Sequence, residues 1–180
     1  GGYHGVRNGI HTSNWNPYRN ATGNVSAPNT ENTELVWLAA SEVAFLRAEG
    51  ALRGWDMGGD AKTFYEQGVR LSFEETGAGN ADSYLANSTA TPAAFVDATN
   101  NGGNAAAKSS ITIAWDAAAD TETNLERIIT QKWIAMYPNG CEAWAEYRRT
   151  GYPALFPVMN NDSEGAVGSD LQIRRVPYPH

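Results

Sequence analysis

Two stretches of helical period, each broken once by a tight turn, constrain this chain more than anything else in it. From Glu34 to Arg53 small side chains recur at Ala40, Ala44, Ala48 and Ala51, with Leu38, Phe45 and Leu52 as a larger apolar row beside them. Alanines at i, i+4, i+8 and i+11 let a second helix approach closely. Glu49 and Arg53 read as an i,i+4 pair on the outer face. Gly54 ends this helix and WDMGG turns the chain. Asp60 reads as an N-cap, and Ala61, Phe64, Tyr65, Gly68, Val69 and Ser72 follow at helical spacing. This second helix extends to Thr76, where Gly77 stops it. Two amphipathic helices with a short connection predict an antiparallel hairpin.

The second stretch repeats the plan. Thr123 and Glu126 fit a capping box, and Leu125, Ile128, Ile129, Trp133 and Met136 continue at helical spacing. Tyr137-Pro138 closes that helix, because the residue before proline avoids the α region. Asn139 with Glu142 caps the next one, which runs through Trp144 and Tyr147 to Thr150. Gly151 and Pro153 stop it. This spacing predicts Trp133 in the core, with Trp144 and Tyr147 on the face that meets it.

The remaining segments carry no sustained period. Residues 1–33 read as a loop region rich in Asn, Gly and Thr, and 152–180 as an irregular tail. Residues 77–119 read as a loop insertion containing the linker-like TNNGGNAAAKSS, with SYLA and PAAFV as single helical turns. The expected architecture is all-α, with tetratricopeptide-like helical hairpins at 34–76 and 121–151 and long irregular loops. The interval from Phe45 to Trp133 is far from one 34-residue period, so a long insertion must separate the pairs.

Several function classes are disfavoured. A net charge of -7 gives no basic footprint, so no nucleic-acid partner is expected. No run of 18 apolar residues exists to cross a membrane as a helix. The opening GGYHGVRNGI has no initiator methionine and no charged n-region followed by an apolar h-region. It reads as the start of an excised fragment whose targeting signal lies upstream.

The chain holds no G-x-S-x-G, H-E-x-x-H, Walker loop or dinucleotide fingerprint, so no catalytic residue, cofactor or metal is expected. His4, His11 and His180 lie near the termini, poor material for a zinc site. NNDSEG starts like an EF-hand loop, but its twelfth position is Leu171 instead of the bidentate Glu. Glu142 and Glu146 share one helix, whereas glycosidase carboxylates face each other across a cleft. Ion pairing with Arg148 and Arg149 on a helix surface explains them more simply. Cys141 has no partner for an internal disulfide and no histidine nearby in sequence, which favours a structural cysteine over a nucleophile.

NWNPYRN is the best binding candidate: Trp15, Asn16, Tyr18 and Arg19. Flat aromatic rings stack on sugar faces, and Asn and Arg donate to hydroxyls. The same rings could instead pin the loop onto the helices, and both readings stay open. Trp115 in ITIAWD is a further ligand-binding candidate.

ITQKWIAMYPNGCEAWAEYRRTGYP resembles a signature region of the SusD/RagB-like family of surface nutrient-binding lipoproteins of Bacteroidetes. SEVAFLRAEGALRGWDMGGDAKTFYEQGVRLSFEETG is similar to the family's paired helices and their G-W-x-M-G-G turn, and RRVPYP is a third match. These lie in family order and together cover residues 34–76 and 121–179. The resemblance implies a tetratricopeptide-type core, no catalysis, and loop-built sites for oligosaccharide or peptide. It implies a SusC-like TonB-dependent transporter as partner, and membrane contact only through a lipid anchor upstream of this fragment. Family members are longer, so a signal peptide, the lipidated cysteine and N-terminal helical repeats would precede Gly1, and the family usually continues past RR-x-PYP. A glycoside hydrolase or accessory carbohydrate-active domain is the first alternative. A peptide-binding or purely structural helical-repeat module is the second.

Overall fold

The computed structural model describes residues 6–11, 36–97 and 103–174. They fall into two compact units, a helical unit (residues 36–92 and 109–153) and a loop unit drawn from 1–35, 93–108 and 154–180.

The helical unit contains α1 (Ala40–Leu52), α2 (Ala61–Thr76), the single turn α3 (Ala81–Leu85), α4 (Thr121–Ala135) and α5 (Gly140–Thr150). α2 keeps the boundaries its sequence predicts. The Asp60 carboxylate accepts from the Thr63 amide, and Gly77 takes a left-handed conformation at φ 64° that a side chain would disfavour. α1 packs against both α2 and α4, and α5 packs against α4. Gly68 makes the first contact close: a Cβ there would fall 2.8 Å from the Phe45 ring. Phe45 meets the Tyr65 ring edge-on at 6.3 Å, and Ala48, Val69, Ile128 and Ile129 complete the fully buried centre. Each large apolar side chain buried here contributes about 1.5–3 kcal/mol.

Four expectations are corrected. α1 starts at Ala40, not Glu34: its cap, Ala39, makes no side-chain hydrogen bond, and Leu38 is 61% exposed instead of joining the apolar row. α4 starts at Thr121 with Asp120 as its cap, so Thr123 lies in the first turn, donating its amide to that carboxylate. Trp133 is half-buried and outside the core, because the inward position beside Ile128 and Ile129 belongs to Lys132. Trp144 is 37% exposed with the Arg148 guanidinium 4.4 Å over its ring, while Tyr147 is buried.

The described part of the loop unit has no helix. PAAFV is not helical; Phe95 forms an isolated antiparallel bridge with Ala105. Met159 and Asn160 donate their amides to the carbonyls of Asn8 and Gly9, and Val158 donates to Ser169. The Arg7 guanidinium donates to the carbonyls of Gly103, Asn104 and Pro157. The rings of Phe95 and Phe156 meet at 6.0 Å. In the 160–165 turn the Asn161 side chain bonds Val167 and the Ser163 amide. Among the described residues no group of three or more His, Cys, Asp or Glu could hold a metal ion.

Candidate ligand-binding surface

Of the residues the sequence singles out for binding, Trp15, Asn16, Tyr18 and Arg19 lie outside the described residues. Trp115 is described. It sits at the end of a segment, 109–116, that has no regular structure of its own and is held by side chains of the helices around it. Tyr65, buried in α2, donates its hydroxyl to the Ile113 carbonyl at 2.6 Å. Burial pushes that hydroxyl well above its ordinary pKa of 10, so it stays a neutral donor. Arg127 of α4 donates to the Thr112 carbonyl at 2.9 Å, and Asn124 to the Asp116 carbonyl at 3.0 Å. The Ala114 amide donates to the Asn87 carbonyl. Irregular backbone pinned this way is preorganised, which lowers the entropy a ligand must remove on binding.

The Trp115 indole rests on the Tyr65 ring at 5.5 Å and is half-buried. It lines a shallow, open depression of about 310 Å³ with Leu52, Asp60, Lys62, Thr121 and Asn124. Hydrogen bonds from the Thr63 hydroxyl and amide hold the Asp60 carboxyl below its ordinary range, so it is an anion at neutral pH. A part-exposed aromatic ring beside a carboxylate, an ammonium and a hydroxyl suits a sugar, whose C–H face stacks while its hydroxyls bond the rim. The ring's anchoring on Tyr65 also makes it part of the packing, so Trp115 answers to both readings of such an aromatic.

The acidic residues of the neighbouring helices have a different role. Lys132 is almost wholly buried and reaches Glu146 at 2.9 Å and Glu42 at 3.7 Å. Arg149 pairs with Glu146 at 2.7 Å and with Glu49 at 2.5 Å, and Arg53 also pairs with Glu49. Three carboxylates and three cations thus form one continuous network that ties α1, α4 and α5 together. Burial pushes the Glu49 carboxyl up, but hydrogen bonds from Arg149 and Arg53 outweigh it and hold the group below its ordinary value. The same bond to Glu49 raises the Arg149 pKa, so both partners stay charged. This corrects two sequence readings: Glu146 and Glu49 are buried, not on an outer helix surface. Glu146, saturated by two cations, is not placed as a free acid or base. Cys141 is exposed and so is not packed as a structural residue.

Sequence reasoning missed a second depression in the helical unit, about 340 Å³, between residues 36–42 and the α4–α5 turn. Trp37 and Tyr137 stand on it 87% and 66% exposed, with Val36, Leu38, Met136 and Pro138. Glu75, at its edge, is taken up by the Ser41 amide and hydroxyl. A lining so short of free polar groups suits a packing partner better than a hydroxylated ligand.

None of the curated proteins matches the chain. Among solved structures, a chitin-binding SusD homologue from Flavobacterium johnsoniae is 51% identical with a TM-score of 0.74, over 78% of this chain and 29% of that one. A SusD homologue from Bacteroides thetaiotaomicron is 47% identical with a TM-score of 0.86, over 99% of this chain and 37% of that one. A third, from Bacteroides uniformis, is 52% identical with a TM-score of 0.77, over 81% and 30%. The chain therefore spans about a third of the length of the structures it resembles. The family model for the SusD and RagB outer membrane lipoproteins matches residues 1–180, and the chain belongs to this SusD-like family.

Proposed function

We propose that the full-length protein captures oligosaccharides reversibly at the bacterial surface and delivers them to a SusC-like TonB-dependent transporter, without cleaving them. A lipid anchor outside residues 1–180 would hold it at the outer membrane, with this chain as the C-terminal fragment of the larger SusD-like domain. The observation that carries the reading is 51% identity to a chitin-binding member of the same family. Support from the chain itself is the depression at Trp115, which offers an aromatic ring and a polar rim on a preorganised segment. The hydrolase alternative loses its nearest carboxylate pair, because Glu146 is spent on Lys132 and Arg149.

Trp115 contributes to the site in this reading, and Trp15, Asn16, Tyr18 and Arg19 supply further contacts. Affinity electrophoresis of the full-length protein against a polysaccharide panel that includes soluble chitin derivatives tests it. Retardation by a glycan is expected, weakened in Trp15→Ala and in Trp115→Ala. A stacked aromatic is worth roughly 0.5–1.5 kcal/mol, so each change should weaken binding about 2- to 12-fold. Migration unchanged in every gel would refute glycan capture. Retardation that neither variant weakens would place the site elsewhere in the polypeptide.

A further inference from the structure

We infer that the Trp115 depression selects glycans by charge: it admits neutral and amino-bearing chains and turns away those that carry carboxylate or sulfate. This deepens the glycan-capture reading and rests on it. The indole offers an apolar face to the C–H side of a sugar ring whatever charge the substituents carry, so the groups around the indole set the preference.

Those groups are acidic. Asp60 lines the depression, and Asp116, Asp120 and Glu122 each adjoin a residue that does. Neighbouring Cα atoms are about 3.8 Å apart, and charge acts over ~8 Å at physiological ionic strength, so all four bear on the same surface. All four are exposed, and none makes an ion pair among the described residues. Their partners are neutral donors: the Thr63, Ala118 and Thr123 amides and the Tyr152 hydroxyl. Such donors fix a carboxylate without cancelling its charge. The bonds from Thr63 and Thr123 also hold Asp60 and Asp120 below the ordinary range, so both stay ionised in mildly acidic buffer. The N-termini of α2 and α4, each equivalent to about half a positive charge, offset only part of this.

The nearby cations are already engaged. Lys62, which lines the depression, faces Glu66 at 3.8 Å, and Arg53, next to Leu52, is held by Glu49 at 2.8 Å. An acidic sugar would have to draw these cations from their partners and approach the four carboxylates at the same time. An amino sugar meets the opposite balance, and a neutral one is indifferent to it. The net charge of -7 acts in the same direction at longer range.

Titration of the full-length protein with neutral, amino-bearing and carboxymethylated forms of the same chitin and glucan oligosaccharides tests it. At low ionic strength the carboxymethylated form should bind at least about threefold more weakly than its neutral parent, and high salt should close the gap. Asp116→Asn with Asp120→Asn removes two charges but keeps side chains that can cap and turn the chain. This double variant should narrow the gap while its circular dichroism and its affinity for the neutral form stay native. Equal or tighter binding of the carboxymethylated form would overturn the selectivity and leave glycan capture standing. So would a gap that neither salt nor the double variant changes, since these carboxylates would not be its cause. No binding of any form would refute capture itself, and the selectivity with it.

Discussion

The helical unit and the loop unit solve the same problem by opposite means. In the helical unit, backbone groups bond within helices, and what remains is to hold helices together: Phe45, Tyr65, Ile128 and Ile129 do this by packing, and the network around Lys132 by charge. In the described part of the loop unit the backbone has no helix to satisfy it, so side chains do it, with Arg7 alone donating to three carbonyls. Segment 109–116 borrows the second device inside the first unit, since Tyr65 and Arg127 bond its carbonyls. Periodic sequence builds the scaffold, and single polar side chains position the irregular segments.

The largest expected effect lies at Lys132. Lys132→Met keeps most of the volume but leaves Glu42 and Glu146 without their buried cation, and removing one partner of a buried pair costs about 3–5 kcal/mol. Denaturation midpoints would show it, and adding Glu146→Gln should restore part of the loss. A change under ~1 kcal/mol would mean that water reaches the network and that charge does not tie these helices.

In the loop unit, Arg7→Ala removes hydrogen bonds that a charged donor makes to part-buried and exposed carbonyls, and should cost about 1.5–3 kcal/mol in all. Its signature should be local: hydrogen exchange at the Met159 and Asn160 amides, which bond Asn8 and Gly9, speeds up, while amides within α1 and α4 keep their protection. Equal loss in both units would erase the contrast. Asp60→Ala should lower the melting temperature slightly through the lost cap of α2.

The smallest effect is the pH dependence of Glu49. Its pKa in the folded protein lies below the ordinary 4.5. The stability it contributes is therefore fully present above that value and is lost as pH falls through the lowered one. An acid titration of stability in Glu49→Gln should lack this component, and an identical titration would exclude it.

How much of this was legible followed from whether the signal was local. α2 could be read from end to end, because Asp60 and Gly77 are complete signals in themselves. The start of α1 could not, since Ala39 offers no cap and the apolar residues before it look like more helix. Lys132 sits three and four positions beyond Ile129 and Ile128, on the inward stripe, so a warning was present. A lysine is read as solvent-facing until its carboxylate partners are known, and those lie on α1 and α5. Trp115 was legible as an aromatic in an irregular segment. Its support by Tyr65 joins positions 50 apart that no period connects. The candidate residues Trp15, Asn16, Tyr18 and Arg19 lie outside the described residues.

The most direct test of reversible, non-catalytic capture is isothermal titration of the full-length protein with soluble chito-oligosaccharides and the other glycans that retard it. The sugar should then be recovered and sized. We predict saturable binding to at least one oligosaccharide, weaker in Trp115→Ala, and recovery of that sugar at its original length. No binding heat with any glycan, or recovery of shortened products, would contradict the account.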